Sequence, residues 1–265
     1  MKRIGILPNL YAQPLFYGLD NRAGPVTFEP VLSPHAGTAH LAIQLRQAQL
    51  HGAFLSPIDY ARDCSAYSIL PRVGVVSEGE SRSVLLLFRE RARKIATIAA
   101  DPSSISEIVL AHLVLAEKYD TIPTVVPFSG SIDQALEKAD AVLCFGDVAY
   151  DLRERKNTLD LVDEWKDITD LPYVHGFWVI RENALTPAEV NAVVETSRQG
   201  VSKLDEIAPD GEYLKRFSYD LTEEAFSALG EFFRMAYYHG ILKDIPEVKV
   251  YRLEGEQHST KASMN

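Results

Sequence analysis

The chain has 265 residues, 46% hydrophobic and 24% charged, with Lys+Arg 27 against Asp+Glu 37 and a net charge of −10. Those proportions are those of a soluble globular protein and exclude a disordered or fibrous one. The acidic excess argues against a nucleic-acid partner, and no apolar run approaches the roughly 20 residues of a membrane span.

In chain order, short apolar runs alternate with amphipathic stretches, the pattern of strands separated by helices. Lys2 and Arg3 precede an apolar stretch of only Ile4 to Leu7, too short for a secretory leader, so a cytoplasmic location is expected. Cys64 and Cys144 lie far apart in apolar surroundings, as buried reduced thiols do. A strand is predicted at 3–7, and the loop after it carries the Asn9 amide, the Tyr11 phenol and the Gln13 amide between Pro8 and Pro14. That loop reads equally well as a ligand contact or as a plain turn. After a strand at 27–32, His35 is a candidate proton carrier, Gly37 a point of close approach and Thr38 the cap of a helix over 38–50. A strand at 52–55 ends at Ser56, which with Pro57 marks the start of a helix over 56–63.

Strands are predicted at 83–88 and 95–99, the second followed by Asp101-Pro102-Ser103-Ser104-Ile105-Ser106-Glu107. Ser104 and Glu107 have capping-box spacing and start a helix over 106–118. The hydroxyls of Ser103, Ser104 and Ser106 either seat a carboxylate at that helix start or only cap it. A strand at 124–127, a helix at 132–138 and a strand at 141–145 lead to Gly146-Asp147, where Asp147 reads first as the cap of a helix over 148–155. Beyond a helix at 161–167, a strand at 174–180 sets His175 on one face with Tyr173 and Phe177. Two long helical patterns follow, 187–206 and 222–238. In the second, Ala225, Phe226, Leu229, Phe232, Phe233, Ala236 and Tyr237 share one face. The polar tail 254–265 is expected to fray.

Together these elements predict two α/β lobes around a ligand cleft, lobe 1 from 1–80 and 182–265 and lobe 2 from 81–181, with crossings near 81–83 and 179–181. Ligands of such sheets bind beyond the carboxyl ends of the strands, so the loops above are the candidate site. The seven histidines lack metal-ligand spacing, and no CxxC, GxSxG, GxGxxG or Walker pattern occurs. No metal or cofactor is expected.

At these loops the sequence resembles the menaquinone-biosynthesis chorismate dehydratase family of the futalosine route. The stretches that carry the likeness are Ile4-Gly5 with Ala12-Gln13-Pro14-Leu15, the run 52–61 (GAFLSPIDYA), 81–85, 101–107, 139–147, Glu164-Trp165, 171–174 and Phe177-Trp178. The resemblance implies a two-lobe, type II periplasmic-binding-protein-like fold acting as a cytoplasmic enzyme without a cofactor. It also implies elimination of water from chorismate to give 3-[(1-carboxyvinyl)oxy]benzoate, with a carboxylate of the substrate as the base. Ser83 matches a pocket serine of the family. Tyr11 stands where the family usually has Asn, and Ile105 where it usually has Arg, leaving Arg82 or Arg62 to supply charge from another loop. The expected site therefore has Tyr11 and Ser83 as its catalytic pair, with Ser56, Arg82, Ser103, Ser104, Ser106, Gly146, Asp147 and His175 as substrate-binding residues. Its partner would be a small carboxylate, bound by a monomer or homodimer. Two other readings are a non-catalytic cytoplasmic binder of a small carboxylate and the sibling dihydroxynaphthoate-forming enzyme, which Pro8-Asn9 faintly suggests.

Overall fold

The computed structural model describes residues 1–19, 27–34, 37–90, 94–208 and 211–253. His35 and the tail 254–265 lie outside the described residues. The first part of the chain forms β1 (Lys2–Ile6), β2 (Phe28–Leu32), α1 (Ala39–Arg46), β3 (Gly52–Leu55), α2 (Pro57–Ala61) and β4 (Tyr67–Ser77). The middle forms β5 (Val84–Phe88), β6 (Thr97–Ala100), α3 (Ile105–Tyr119), β7 (Thr124–Pro127), α4 (Ile132–Lys138), β8 (Ala141–Phe145), α5 (Asp147–Asp151), β9 (Thr158–Asp160) and α6 (Leu161–Thr169). The remainder forms β10 (Tyr173–Arg181), α7 (Pro187–Val201), α8 (Leu204–Ile207) and α9 (Glu223–Tyr238).

The strands make two five-stranded sheets, ordered β2-β1-β3-β10-β4 and β7-β6-β8-β5-β9. In each, the first three strands of the order run parallel and the fourth runs against the rest. β10 is antiparallel to β3 and β4, and β5 is antiparallel to β8 and β9. The two sheets thus repeat one plan. Each antiparallel strand is the one the chain enters on crossing from the other sheet. The chain passes from β4 to β5 through residues 78–83. The return does not lie at 179–181: β10 pairs with β3 and β4 from Tyr173 onward, so the chain is back in the first sheet by that residue. The sequence could not place it because a nine-residue apolar strand reads alike in either sheet.

Period-two alternation builds the layers of the second sheet. Val84, Leu86, Ile98, Ala100, Ala141 and Leu143 face the main core, whereas Leu85, Ala99, Val142 and Cys144 face a smaller cluster closed by Ala135 and Ala139 at α4. In the first sheet, α9 covers β10: Ala225, Leu229, Phe232, Phe233 and Ala236 are buried as the periodicity predicts, while Tyr237 is exposed. Both cysteines are free thiols, Cys144 buried and Cys64 only half-buried.

Two features were not foreseen. β4 is the longest strand, yet Pro71-Arg72 in its middle reads as a break; Arg72 takes a positive φ of 64° and the strand continues. The C-terminal segment lies along β4, with Ser218 bridging Val76 and Lys249 O accepting from Ile69 N. That path brings Tyr213 and Phe217 to the meeting of the two sheets.

Candidate active site

The carboxyl ends of β1, β3, β6 and β8 and the amino ends of β5 and β10 converge between the sheets, because an antiparallel strand begins where its parallel neighbours end. Each contributes a loop or a first residue. From β1 come Asn9 and Tyr11, in a 3-10 turn (Leu10–Leu15) rather than an α-helix; Gln13, in the same turn, is exposed. From β10 come Tyr173 and His175, and from the C-terminal segment Tyr213 and Phe217.

These rings form one cluster. The His175 ring lies 5.7 Å from Tyr11, 4.9 Å from Tyr173 and 5.4 Å from Phe217, centroid to centroid. Tyr213 packs edge-on to Phe217 at 5.2 Å and stacks at 4.0 Å on Tyr150 of α5, so the cluster spans both lobes. The predicted face shared by Tyr173, His175 and Phe177 holds for the first two. Phe177 packs against Tyr60 instead, beyond a register shift in β10.

Burial sets the protonation states here. It pushes the Tyr11, Tyr173 and Tyr213 phenols up, so all three stay neutral and can donate. It pushes His175 down to about 3, so the imidazole is uncharged at any working pH; it hydrogen-bonds with Ser77 Oγ at 2.9 Å. Glu107, 5% exposed in the first turn of α3, is pushed up to about 7, first by burial and further by Asp59.

The serine-rich start of α3 departs from expectation in an instructive way. Ser104 is the N-cap residue, but its hydroxyl donates back to Asp101 O at 2.6 Å and makes no cap to the helix. The capping box is therefore not formed, and the Glu107 carboxyl is left to the interior, where it raises the pKa of both Tyr11 and Tyr173. Ser103 N donates to Asp101 Oδ1 at 2.8 Å, and its hydroxyl has no partner. Ser106 bridges the lobes: Ile58 N donates to its oxygen at 2.9 Å, and its hydroxyl donates to Ser56 Oγ at 2.9 Å. Ser56 in turn donates to Asp59 Oδ2 at 3.1 Å, and Thr38 donates to the same carboxylate. Ser56 does start α2, but its hydroxyl belongs to this buried network and not to an open seat.

On the other side of the cleft, Ser83 is buried, its hydroxyl shares a 2.6 Å hydrogen bond with the Ser81 hydroxyl, and its backbone carbonyl accepts from Gly146 N at 2.7 Å. Gly146 has φ 62° and lies so close to the first lobe that a Cβ there would be 2.7 Å from Asn9 Nδ2. Asp147 accepts from Leu10 N through both carboxylate oxygens, at 3.0 and 3.1 Å, tying the lobes together. Arg82 faces elsewhere: its Nε donates to Glu80 at 2.9 Å and its backbone N–H to Asp160 at 2.6 Å. Arg62, 3.6 Å from Asp59, is likewise engaged.

Tyr11, Ser83, Gly146 and His175 thus meet in one region with Asn9. Ser56, Ser106 and Asp147 hold the lobes together, and Arg82 pairs away from the ring cluster. Glu107, Tyr173 and Tyr213 were not nominated as ligand contacts. Alternation with His175 pointed to Tyr173; Glu107 was disguised by a capping spacing, and Tyr213 sits in an irregular segment with no periodic signal. Among the described residues, four buried polar atoms around this region have no hydrogen-bond partner: Asn9 Nδ2, Ser103 Oγ, Tyr173 OH and Tyr213 OH. All four can donate. No group of three or more His, Cys, Asp or Glu side chains among the described residues is placed to hold a metal ion.

The menaquinone biosynthesis family model matches residues 2–238. The chain belongs to the menaquinone biosynthesis family. Over 193 residues it is 27% identical to chorismate dehydratase of Thermus thermophilus, a match covering 66% of this chain and 70% of the relative. Among solved structures, protein AF1704 from Archaeoglobus fulgidus superposes with a TM-score of 0.73 at 21% identity, over 91% of this chain and 98% of that one. The Candida albicans CA3427 gene product, described as having the generic periplasmic binding protein fold, gives 0.64 at 13% identity, over 97% and 99%. These likenesses establish the fold as that of the periplasmic binding proteins. Among the described residues, no helix is long and apolar enough to cross a membrane.

Proposed function

We propose that this member of the family is a chorismate dehydratase-like hydro-lyase, acting in the cytoplasm without a cofactor on chorismate. The observation that carries the reading is the set of buried donors with no partner, Asn9 Nδ2, Ser103 Oγ, Tyr173 OH and Tyr213 OH, gathered between two lobes. Unpaired buried donors are costly, and acceptor-rich carboxylates would satisfy them. A chain 27% identical to a chorismate dehydratase supports the same substrate.

The reaction needs little from the protein beyond position. The ring proton beside the enol ether passes to a carboxylate of the substrate, the neighbouring C–O bond breaks as the ring becomes aromatic, and the departing hydroxide takes that proton to leave as water. Tyr11, held neutral by burial, would hydrogen-bond the departing hydroxyl; Ser83, beside Gly146, would orient the ring. A second neutral donor such as Asn9 would stand in for the cation missing at Ile105.

The test mixes purified protein with chorismate, without metal or nucleotide, and follows products by chromatography and mass. Loss of one water with new aromatic absorbance is expected, and Ser83→Ala and Tyr11→Phe should each lower kcat by roughly 10²-fold, as removal of one well-placed donor does. Binding of chorismate without turnover would make the protein a carboxylate-binding module instead.

A further inference from the structure

We propose that Ser77 is a positioning residue of this site: its hydroxyl donates to Nε2 of His175 and fixes the imidazole as the Nδ1–H tautomer, whose free N–H is a further neutral donor to the carboxylate ligand. The inference rests on the carboxylate-ligand reading above and deepens it.

The backbone aims the ring. In β10, Tyr173 pairs with Ser77, Val174 with Val76 and Gly176 with Val75, which leaves His175 as the extra residue of a bulge. Bulges redirect a side chain and are common beside active sites. Here the His175 ring lies 4.9 Å from Tyr173 and 5.7 Å from Tyr11, centroid to centroid, with Nε2 2.9 Å from Ser77 Oγ at the end of β4. The ring is therefore packed on Tyr173, whose hydroxyl is one of the four donors without a partner.

The proton count decides the tautomer. Ser77 is fully buried, and among the described residues the hydroxyl has His175 Nε2 as its one hydrogen-bond partner. If Nε2–H donated, the Ser77 proton would be sealed in the interior with no acceptor, at the full cost of desolvation. With Ser77 as the donor, Nε2 accepts, and the single proton of the neutral ring lies on Nδ1. Nδ1 also has no hydrogen-bond partner among the described residues, but it is not one of the atoms sealed from solvent, so a ligand can reach it. The two nitrogens point to opposite sides of the ring, and the bond to Ser77 turns Nδ1 away from β4. Burial keeps the imidazole uncharged down to about 3, so the N–H adds a donor without adding a charge.

The experiment labels the histidines of the full-length protein isotopically and reads each ring by proton–nitrogen correlation NMR. The signal lost in His175→Gln identifies the residue, and in the wild type it should show a protonated Nδ1 and a bare Nε2. Ser77→Ala, checked for folding by circular dichroism, should release the ring to the Nε2–H form or to a mixture. Calorimetry with 3-[(1-carboxyvinyl)oxy]benzoate then reads the contact itself. His175→Asn, whose amide falls near the place of Nδ1, should bind close to wild type, whereas His175→Gln, whose amide falls near Nε2, should bind roughly tenfold more weakly. A wild-type ring protonated at Nε2, a tautomer unmoved by Ser77→Ala, or His175→Gln binding as tightly as His175→Asn overturns the inference and leaves the function standing. Failure of the wild type to bind both this compound and chorismate overturns the proposed function, and with it the ligand assigned to this donor.

Discussion

At the scale of single residues, the cleft stores an electrostatic cost that should be measurable in stability. Glu107 has its folded-state pKa raised from 4.5 to about 7, so the native state holds its proton more tightly than the unfolded chain. The stability this group permits is complete below about pH 4.5 and is lost as pH rises through 7. At 1.4 kcal/mol per pH unit the full loss is about 3 kcal/mol. Glu107→Gln should therefore raise the thermal midpoint at pH 8.5, by the equivalent of roughly 1–3 kcal/mol, and leave it nearly unchanged at pH 5. Equal effects at both pH values would mean that the carboxyl is solvated. His175 works in the opposite sense: its folded-state pKa is pushed down to about 3, so acidification below 6.5 favours the unfolded chain, which can take the proton. Burial favours the uncharged form of both residues, and each costs stability where pH would charge it. Sites that bind charged ligands are commonly assembled at such a cost.

At the scale of elements, one side chain ties the segment that enters the second sheet to α6. Asp160 ends β9 and caps α6 by accepting from Val162 N at 2.9 Å and Asp163 N at 3.4 Å, and it also accepts from the N–H of Arg82, which is held at φ 57°. Asp160→Ala removes all three bonds, and we expect a loss of about 1–2 kcal/mol by urea unfolding, with Asp160→Asn keeping most of it. A loss confined to a few tenths would show that water replaces the cap. This tie was only partly legible in the sequence. Short apolar runs between helices gave away most strands, since a continuous apolar run buried on both faces leaves a strong mark in 84–88 and 141–145. β9 has three residues and half-buried positions throughout, too short and too polar to read. β4 was hidden by Pro71-Arg72, and the return crossing was misplaced because β10 is buried along nearly its whole length. The site was legible to the extent that strand ends identify loops: Tyr11, Ser83, Gly146 and His175 do converge. It was illegible where local chemistry offered a sufficient explanation by itself, as with Glu107, whose spacing from Ser104 suited a cap that tertiary burial overrides.

At the scale of the whole molecule, two glycines set how closely the lobes approach, from opposite sides of the cleft and by different physics. At Gly37 a Cβ would stand 2.0 Å from Ser103 O and 2.5 Å from Ser103 C, both backbone atoms at the start of the α3 loop. Carbon contacts relax only near 3.5–4.0 Å, and no side chain is available to rotate away, so Gly37→Ala must push the two loops apart. At Gly146 the nearest atom is the Asn9 amide, a side chain that can move, but the φ of 62° strains any L residue. Gly146→Ala should therefore strain a turn and displace Asn9, whereas Gly37→Ala opens the cleft. The remaining contacts, Asp147 with Leu10 N and Ser106 with Ser56, should then act as a hinge on the side left intact. For Gly37→Ala we expect a larger radius of gyration by small-angle scattering, an affinity for chorismate at least tenfold weaker, and an unfolding midpoint close to that of the wild type, because each sheet keeps its own core. A variant with unchanged scattering and affinity would show that the Gly37–Ser103 contact does not govern closure. A variant that binds normally despite a wider radius would show that the ligand, and not this contact, supplies the energy that brings the lobes together.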